Sequence, residues 1–144
     1  MDLVFTTELM QHMKNYEKIM YQIVRFLKPE TGKLFVQADT HKNMSLGNTP
    51  SDDLILYCCK GFLVVDHWCL NGLHYAKSAK AWLKNMDTAW KKGSLKPILA
   101  FAYGNGTELV WYNYWRLHFL RTIEQWSLNK GEEYVTSHYL LQRA

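Results

Sequence analysis

The chain has 144 residues, 48% of them hydrophobic and 15% aromatic, with a formal net charge of +4. That apolar content suffices for one folded domain with a real core and excludes a disordered chain. The mild charge, without a dense Lys/Arg tract, argues against nucleic-acid binding, and no apolar run approaches the length needed to span a bilayer.

Leu3-Val4-Phe5-Thr6-Thr7 is a short β-prone run and reads as a buried strand. From Met13 to Leu27 the apolar residues Tyr16, Ile19, Met20, Ile23, Phe26 and Leu27 recur at three- and four-residue spacing, one face of a helix. Pro29 cannot continue the hydrogen-bond ladder and ends it. Leu34–Ala38 is a second strand, so the opening forms a strand–helix–strand unit of the parallel crossover type. In such sheets ligands sit beyond the carboxyl ends of the strands, here Thr7–Gln11 and Asp39–Lys42.

After a polar, turn-rich stretch at Asn43–Ser51, Asp52–Cys59 reads as a short helix capped by Ser51, and Phe62–Trp68 as a strand. Ser78 caps a predicted helix running to Lys91, and Ser94–Tyr103 forms another, with Pro97 tolerated in its first turn. Lys77, Lys80, Lys84, Lys91, Lys92 and Lys96 fall at helical spacing and read as a solvated face. Gly104-Asn105-Gly106 is a plain turn, lacking the third glycine and the preceding strand of a dinucleotide loop. Thr107–Leu128 follows as a long helix, apolar on nearly all sides and therefore expected to be packed. Tyr134–Leu141 closes the chain as a strand. The pattern is mixed α/β, half of a sheet rather than a complete one.

Glu8 and His12 lie four residues apart just past the first strand. On a helix they would share a face, and a carboxylate beside an imidazole makes a tunable proton acceptor. An ordinary surface pair at a helix start is the plainer alternative. Trp111, Tyr114, Trp115 and His118 lie along one side of the long helix, either as core or as an aromatic pocket whose ring faces attract a cationic amine or sulfonium. His67, His74 and His138 show no ligand spacing, and Asp66–His67 and Asp52–Asp53 are too local to suggest a metal site. Cys58, Cys59 and Cys69 are odd in number without C-x-x-C spacing, as expected of reduced thiols in a cytoplasmic protein.

Glu8-Leu9-Met10-Gln11-His12-Met13-Lys14-Asn15-Tyr16 resembles the E-M-F-E-H-M-K-N-Y segment of coclaurine N-methyltransferases, which belong with the cyclopropane fatty acid synthases among the class I methyltransferases. Further matches follow in order at Leu34-Phe35-Val36, Thr40-His41-Lys42, Pro50–Leu54, Val64–Trp68, Asn71–Lys77, Ala81–Asp87, Tyr114–Arg116 and Asn129–Glu133. The resemblance implies the C-terminal half of a Rossmann-like methyltransferase sheet, entered at its fourth strand, with an added helical segment. It divides one partial domain into a strand–helix–strand core (1–42), a shortened loop (43–50) and substrate-side helices with closing strands (51–144).

The implied function is S-adenosylmethionine-dependent N-methylation of a small amine. Glu8 and His12 correspond to the family's catalytic pair, and Trp115, with Tyr114 and His118 beside it, to the substrate pocket. Gln11 stands where the family has a second glutamate, and His118 where an aromatic is usual. The family's glycine-rich cofactor loop and ribose-binding acid have no counterpart in this chain, so its cofactor-binding residues are unknown. The alternatives are an inactive binding module, a dimer or pairing through an exposed sheet edge, and a lipid-modifying relative of the cyclopropane synthases.

Overall fold

The computed structural model describes residues 1–43 and 49–144; most of the predicted 43–50 loop therefore lies outside the described residues. Two compact units emerge, one of residues 1–71 with 132–144, the other of residues 72–131.

The first unit is a four-stranded sheet. Strands β1 (Leu3–Thr7), β2 (Lys33–His41), β3 (Phe62–Asn71) and β4 (Tyr134–Arg143) lie in the order β1-β2-β4-β3. β1 and β2 are parallel, joined by helix α1 (Tyr16–Phe26), as the strand–helix–strand pattern predicts. β4 runs antiparallel between β2 and β3. The third and fourth strands extend beyond the predicted ends, to Asn71 and Arg143.

Strand alternation sorts the side chains of β2. Leu34, Val36, Ala38 and Thr40 are fully buried, facing Leu141, Tyr139, Ser137 and Val135 of β4 in register. Met20, Ile23 and Leu27 from α1 and its C-terminal end, with Met10 and Ile55, close the core on that face. The opposite face carries Phe5, Phe35, Trp68 and His138. Their rings touch in a chain, with Phe5–Phe35 centroids 4.8 Å apart and Trp68 stacked on His138 at 5.1 Å. Phe5 is 63% exposed, so this face is largely open, and β1 is an edge strand.

One-sided burial makes neighbouring residues unequal. Leu34→Ala should lower unfolding free energy by about 3 kcal/mol, a buried truncation that leaves a cavity. Phe35→Ala, one residue on and half-buried on the opposite face, should cost less, about 2 kcal/mol, since part of its ring stays in water after folding. Urea midpoints measured for both variants check this; equal losses would mean that both faces are packed.

Two predicted caps fall elsewhere. Helix α2 is shorter than expected, Leu54–Cys58, and has no side-chain cap; Ser51 contributes only its carbonyl, which accepts from Leu54 N at 3.1 Å. Helix α3 begins at Leu73, not Ser78, and Ser78 Oγ donates to the His74 carbonyl within it. The buried residues of this first stretch are Ala76 and Ala79, whose small side chains leave a faint periodic signal.

In the second unit α3 (Leu73–Lys91), α4 (Lys96–Tyr103) and α5 (Glu108–Ser127) pack together, with α5 against both others. All six lysines of the basic stretch are exposed, as expected of a solvated face. Helix α5 is packed against its neighbours, as its apolar surface predicts, but along one side only. Val110, Tyr114 and Leu117 form an exposed stripe, while Tyr112 and Trp126 are buried.

Candidate functional site

The parallel strands β1 and β2 end side by side, and the chain after β1 turns sharply. Glu8 adopts a left-handed backbone conformation (φ 53°), uncommon for a residue with a side chain. Its N–H donates to the Gln37 carbonyl at 3.2 Å, tying the turn to β2. The Glu8 carboxylate accepts from Gln11 Nε2 at 2.7 Å and from Gln37 Nε2 at 3.0 Å. Gln11 is nine-tenths buried, and its carbonyl oxygen Oε1 has no hydrogen-bond partner among the described residues.

Asp39 shares a face of β2 with Gln37, two residues on, and stands opposite Thr136 in register. Burial first, then the charge and hydrogen bond of Glu8, push its carboxyl up to about 7, while a hydrogen bond from Thr136 pulls the other way. One oxygen, Oδ1, is buried without a hydrogen-bond partner among the described residues. Neighbouring His138 is held below the usual imidazole range, chiefly by burial. Two carboxyl groups and two orphaned acceptor oxygens thus gather at the strand ends, an arrangement suited to an ammonium or sulfonium cation.

His12 closes the single 3-10 turn Met10–His12 and is exposed. Among the described residues no hydrogen bond or ion pair joins it to Glu8, whose carboxylate meets Gln11, Gln37 and Asp39 instead. The shared helix face needed for an i, i+4 contact does not form, because the helix proper starts only at Tyr16. Asp39 and Gln37 were not singled out in the sequence; the available signal was an acid just past the predicted strand Leu34–Ala38, at a carboxyl end where ligands sit.

The remaining predicted residues belong to the helical unit. Trp115 lines an apolar cavity of about 270 Å³ with Trp82, Met86, Leu99, Tyr112 and Phe119. Its indole Nε1 donates to the Tyr103 hydroxyl at 3.3 Å. Tyr114 and His118 are exposed on the flank of α5, each edge-on to Trp115, at 6.1 and 5.5 Å between centroids.

A second polar cluster lies on the covered face of the sheet. Asp52 and His67, read as members of separate local pairs, meet across 15 residues, and Cys69 joins them. Ser137 and Tyr139 also donate to Asp52. Burial raises the Asp52 carboxyl, but the hydrogen bonds from Ser137, Cys69 and His67 outweigh it and leave it below the usual carboxylate value.

No protein-family model matches the chain. Along 99% of its length it is 29% identical to the (S)-coclaurine N-methyltransferases of Thalictrum flavum subsp. glaucum and Papaver somniferum. It superposes with a TM-score of 0.89, at 29% identity, on the crystal structure of a coclaurine N-methyltransferase bound to N-methylheliamine and SAH. The chain is homologous to the coclaurine N-methyltransferases. It spans about half the length of these homologues: 45% and 46% of the two plant enzymes and 48% of the crystallised chain. The four-stranded sheet and its helices match part of a class I methyltransferase structure. A mycolic acid cyclopropane synthase shares the fold at 17% identity, with a TM-score of 0.73. No helix among the described residues is long and apolar enough to cross a membrane.

Proposed function

We propose that this chain forms the amine-side half of an S-adenosylmethionine-dependent N-methyltransferase acting on small amines. The observation carrying the proposal is the carboxyl pair Glu8 and Asp39 with the Gln11 amide at the strand ends, in a chain homologous from end to end with enzymes that methylate amine nitrogen. Bound S-adenosylmethionine would supply the methyl group on a sulfonium; the orphaned oxygens of Gln11 and Asp39 fit a cationic centre of that kind.

The chain's own task is to hold an amine and strip its proton. A secondary or tertiary amine arrives largely protonated at neutral pH, and its lone pair is blocked until that proton leaves. Glu8, fixed by two glutamine amides, attracts the ammonium through charge. His12 takes the proton directly or through one water, which leaves the nitrogen free to attack. Positive charge then returns to nitrogen as the new bond forms, where the Glu8 carboxylate stabilises it. Within the helical unit taken by itself, the ring faces of Trp115 and Tyr114, with His118 beside them, offer apolar and cation–π contact to an aromatic or cationic group.

The test is a chimera in which residues 1–144 replace the matching half of the Papaver somniferum enzyme. Methyl transfer to a cyclic amine supports the proposal. A folded chimera that binds S-adenosylmethionine but transfers nothing contradicts it.

A binding-module reading has its own support in the open sheet. β1 is an exposed edge beside the exposed rings of Phe5 and Trp68, a surface for pairing with a partner or a second copy. The lipid-modifying alternative rests on fold likeness alone.

A further inference from the structure

We propose that Asp52, His67 and Cys69 form a binding site for a borderline-soft divalent cation, zinc by preference. The site is separate from the acidic cluster, and it does not rest on the methyltransferase reading.

Strand geometry builds it. A register shift between Val64 and Asp66 resets the alternation of β3. Beyond the shift His67 stands opposite Tyr139, and Cys69 opposite Ser137. Residues two apart on a strand share a face, so imidazole and thiol project together onto the side where Tyr139 and Ser137 are buried. Asp52 reaches the same spot from the turn before α2. Its N–H is fixed by the His41 carbonyl at 2.9 Å, next to a bridge joining His41 and Ser51.

The three ligand atoms lie close enough to share one ion. His67 Nε2 is 2.9 Å from Asp52 Oδ1, Cys69 Sγ is 3.2 Å from that same oxygen, and Sγ and Nε2 are 3.9 Å apart. Zinc bonds of about 2.0–2.3 Å in a tetrahedron place such atoms about 3.2–3.8 Å apart, so the two edges at Asp52 must lengthen and the sulfur–nitrogen edge shorten, each by only a few tenths of an ångström. A water, or the Ser137 hydroxyl 2.5 Å from Asp52, would take the fourth position.

The surroundings already orient the ligands. Tyr139 stacks on the His67 ring at 4.7 Å and donates to the Asp52 carbonyl at 2.6 Å; Thr40 and Ser137 hydroxyls meet at 2.5 Å behind them. Supporting contacts of this kind fix the rotamers of metal ligands in advance. On binding, Cys69 gives its thiol proton to solvent and bonds as thiolate, His67 bonds through the Nε2 lone pair with its proton on Nδ1, and Asp52 bonds as carboxylate. Two negative ligands and one dication make a neutral centre, and the oxygen–nitrogen–sulfur donor set favours zinc over magnesium or calcium.

The experiment is cobalt(II) titration of the chelator-treated 144-residue chain. One equivalent should produce a thiolate-to-cobalt charge-transfer band with the strong visible bands of tetrahedral cobalt, both removed by added zinc. Cys69→Ser should abolish the charge-transfer band, and His67→Gln should weaken binding at least about tenfold. Cys58→Ser with Cys59→Ser should change neither. Absence of the band at stoichiometric cobalt, or its survival in Cys69→Ser, overturns the proposal. Should a variant fail to fold, the unsubstituted chain still decides. Zinc should protect Cys69 from maleimide alkylation, and unchanged alkylation counts against the site.

Discussion

His12→Ala, placed in a chimera that transfers methyl groups, is expected to lower kcat by about 100-fold or more at neutral pH with little change in KM. The magnitude is that of a positioned general base. The selectivity for kcat follows from position. His12 is exposed at the end of a 3-10 turn and makes no ion pair with Glu8 among the described residues, so its loss removes no packing and no binding charge. Glu8→Gln should behave differently, raising KM as well, because it deletes the charge that Gln11 and Gln37 present to the amine. If raising the pH restores His12→Ala towards the unsubstituted rate, the missing function is proton removal. Unchanged kcat in His12→Ala would assign the proton to the Glu8–Asp39 pair instead.

Asp39→Asn is expected to stabilise the fold, and more so as pH rises. The folded carboxyl titrates near 7, against an ordinary value of 3.8. Between these values the native state holds a proton that the unfolded chain has released, so stability falls as pH rises. The contribution is complete below about pH 4 and lost once pH passes 7. A shift of that size corresponds to about 2–4 kcal/mol after allowance for the charge shared with Glu8. Asparagine keeps the shape and has no proton to lose. Urea unfolding of both proteins at pH 5 and pH 8 should show the variant gaining about 2 kcal/mol relative to the parent between the two. His138, held low by burial, titrates in the opposite sense, and its contribution cancels in the difference. An identical pH dependence in both proteins would remove the basis for a strained acidic pair.

These two residues also show what the sequence carries and what it conceals. The crossover β1–α1–β2 was legible because Tyr16, Ile19, Met20 and Ile23 repeat at helical spacing and Pro29 punctuates them. Glu8 and His12 were legible as candidates through the segment Glu8–Tyr16, yet their mutual geometry was not. A four-residue interval fixes a contact only inside a helix, and the chain takes a left-handed turn at Glu8 before a single 3-10 turn. Asp39 stayed hidden because its neighbour across space, Glu8, is 31 positions away in the chain, and pairing register is not written in local pattern. The Asp52–His67–Cys69 cluster was obscured for the same reason, compounded by the register shift before Asp66. α5 misled in the other direction. Its apolar residues circle the helix, and only tertiary packing decides that Tyr112 goes inside while Leu117 stays bare.

The most direct test of the acidic cluster as an amine site is a side-chain NMR titration of the 144-residue chain with N-methylheliamine. The side-chain amides of Gln11 and Gln37 and the His12 imidazole should shift together along one saturable curve, and the shifts should vanish in Glu8→Gln. Saturation that leaves these three side chains unmoved, or that persists unchanged in Glu8→Gln, would place the amine elsewhere and contradict the account.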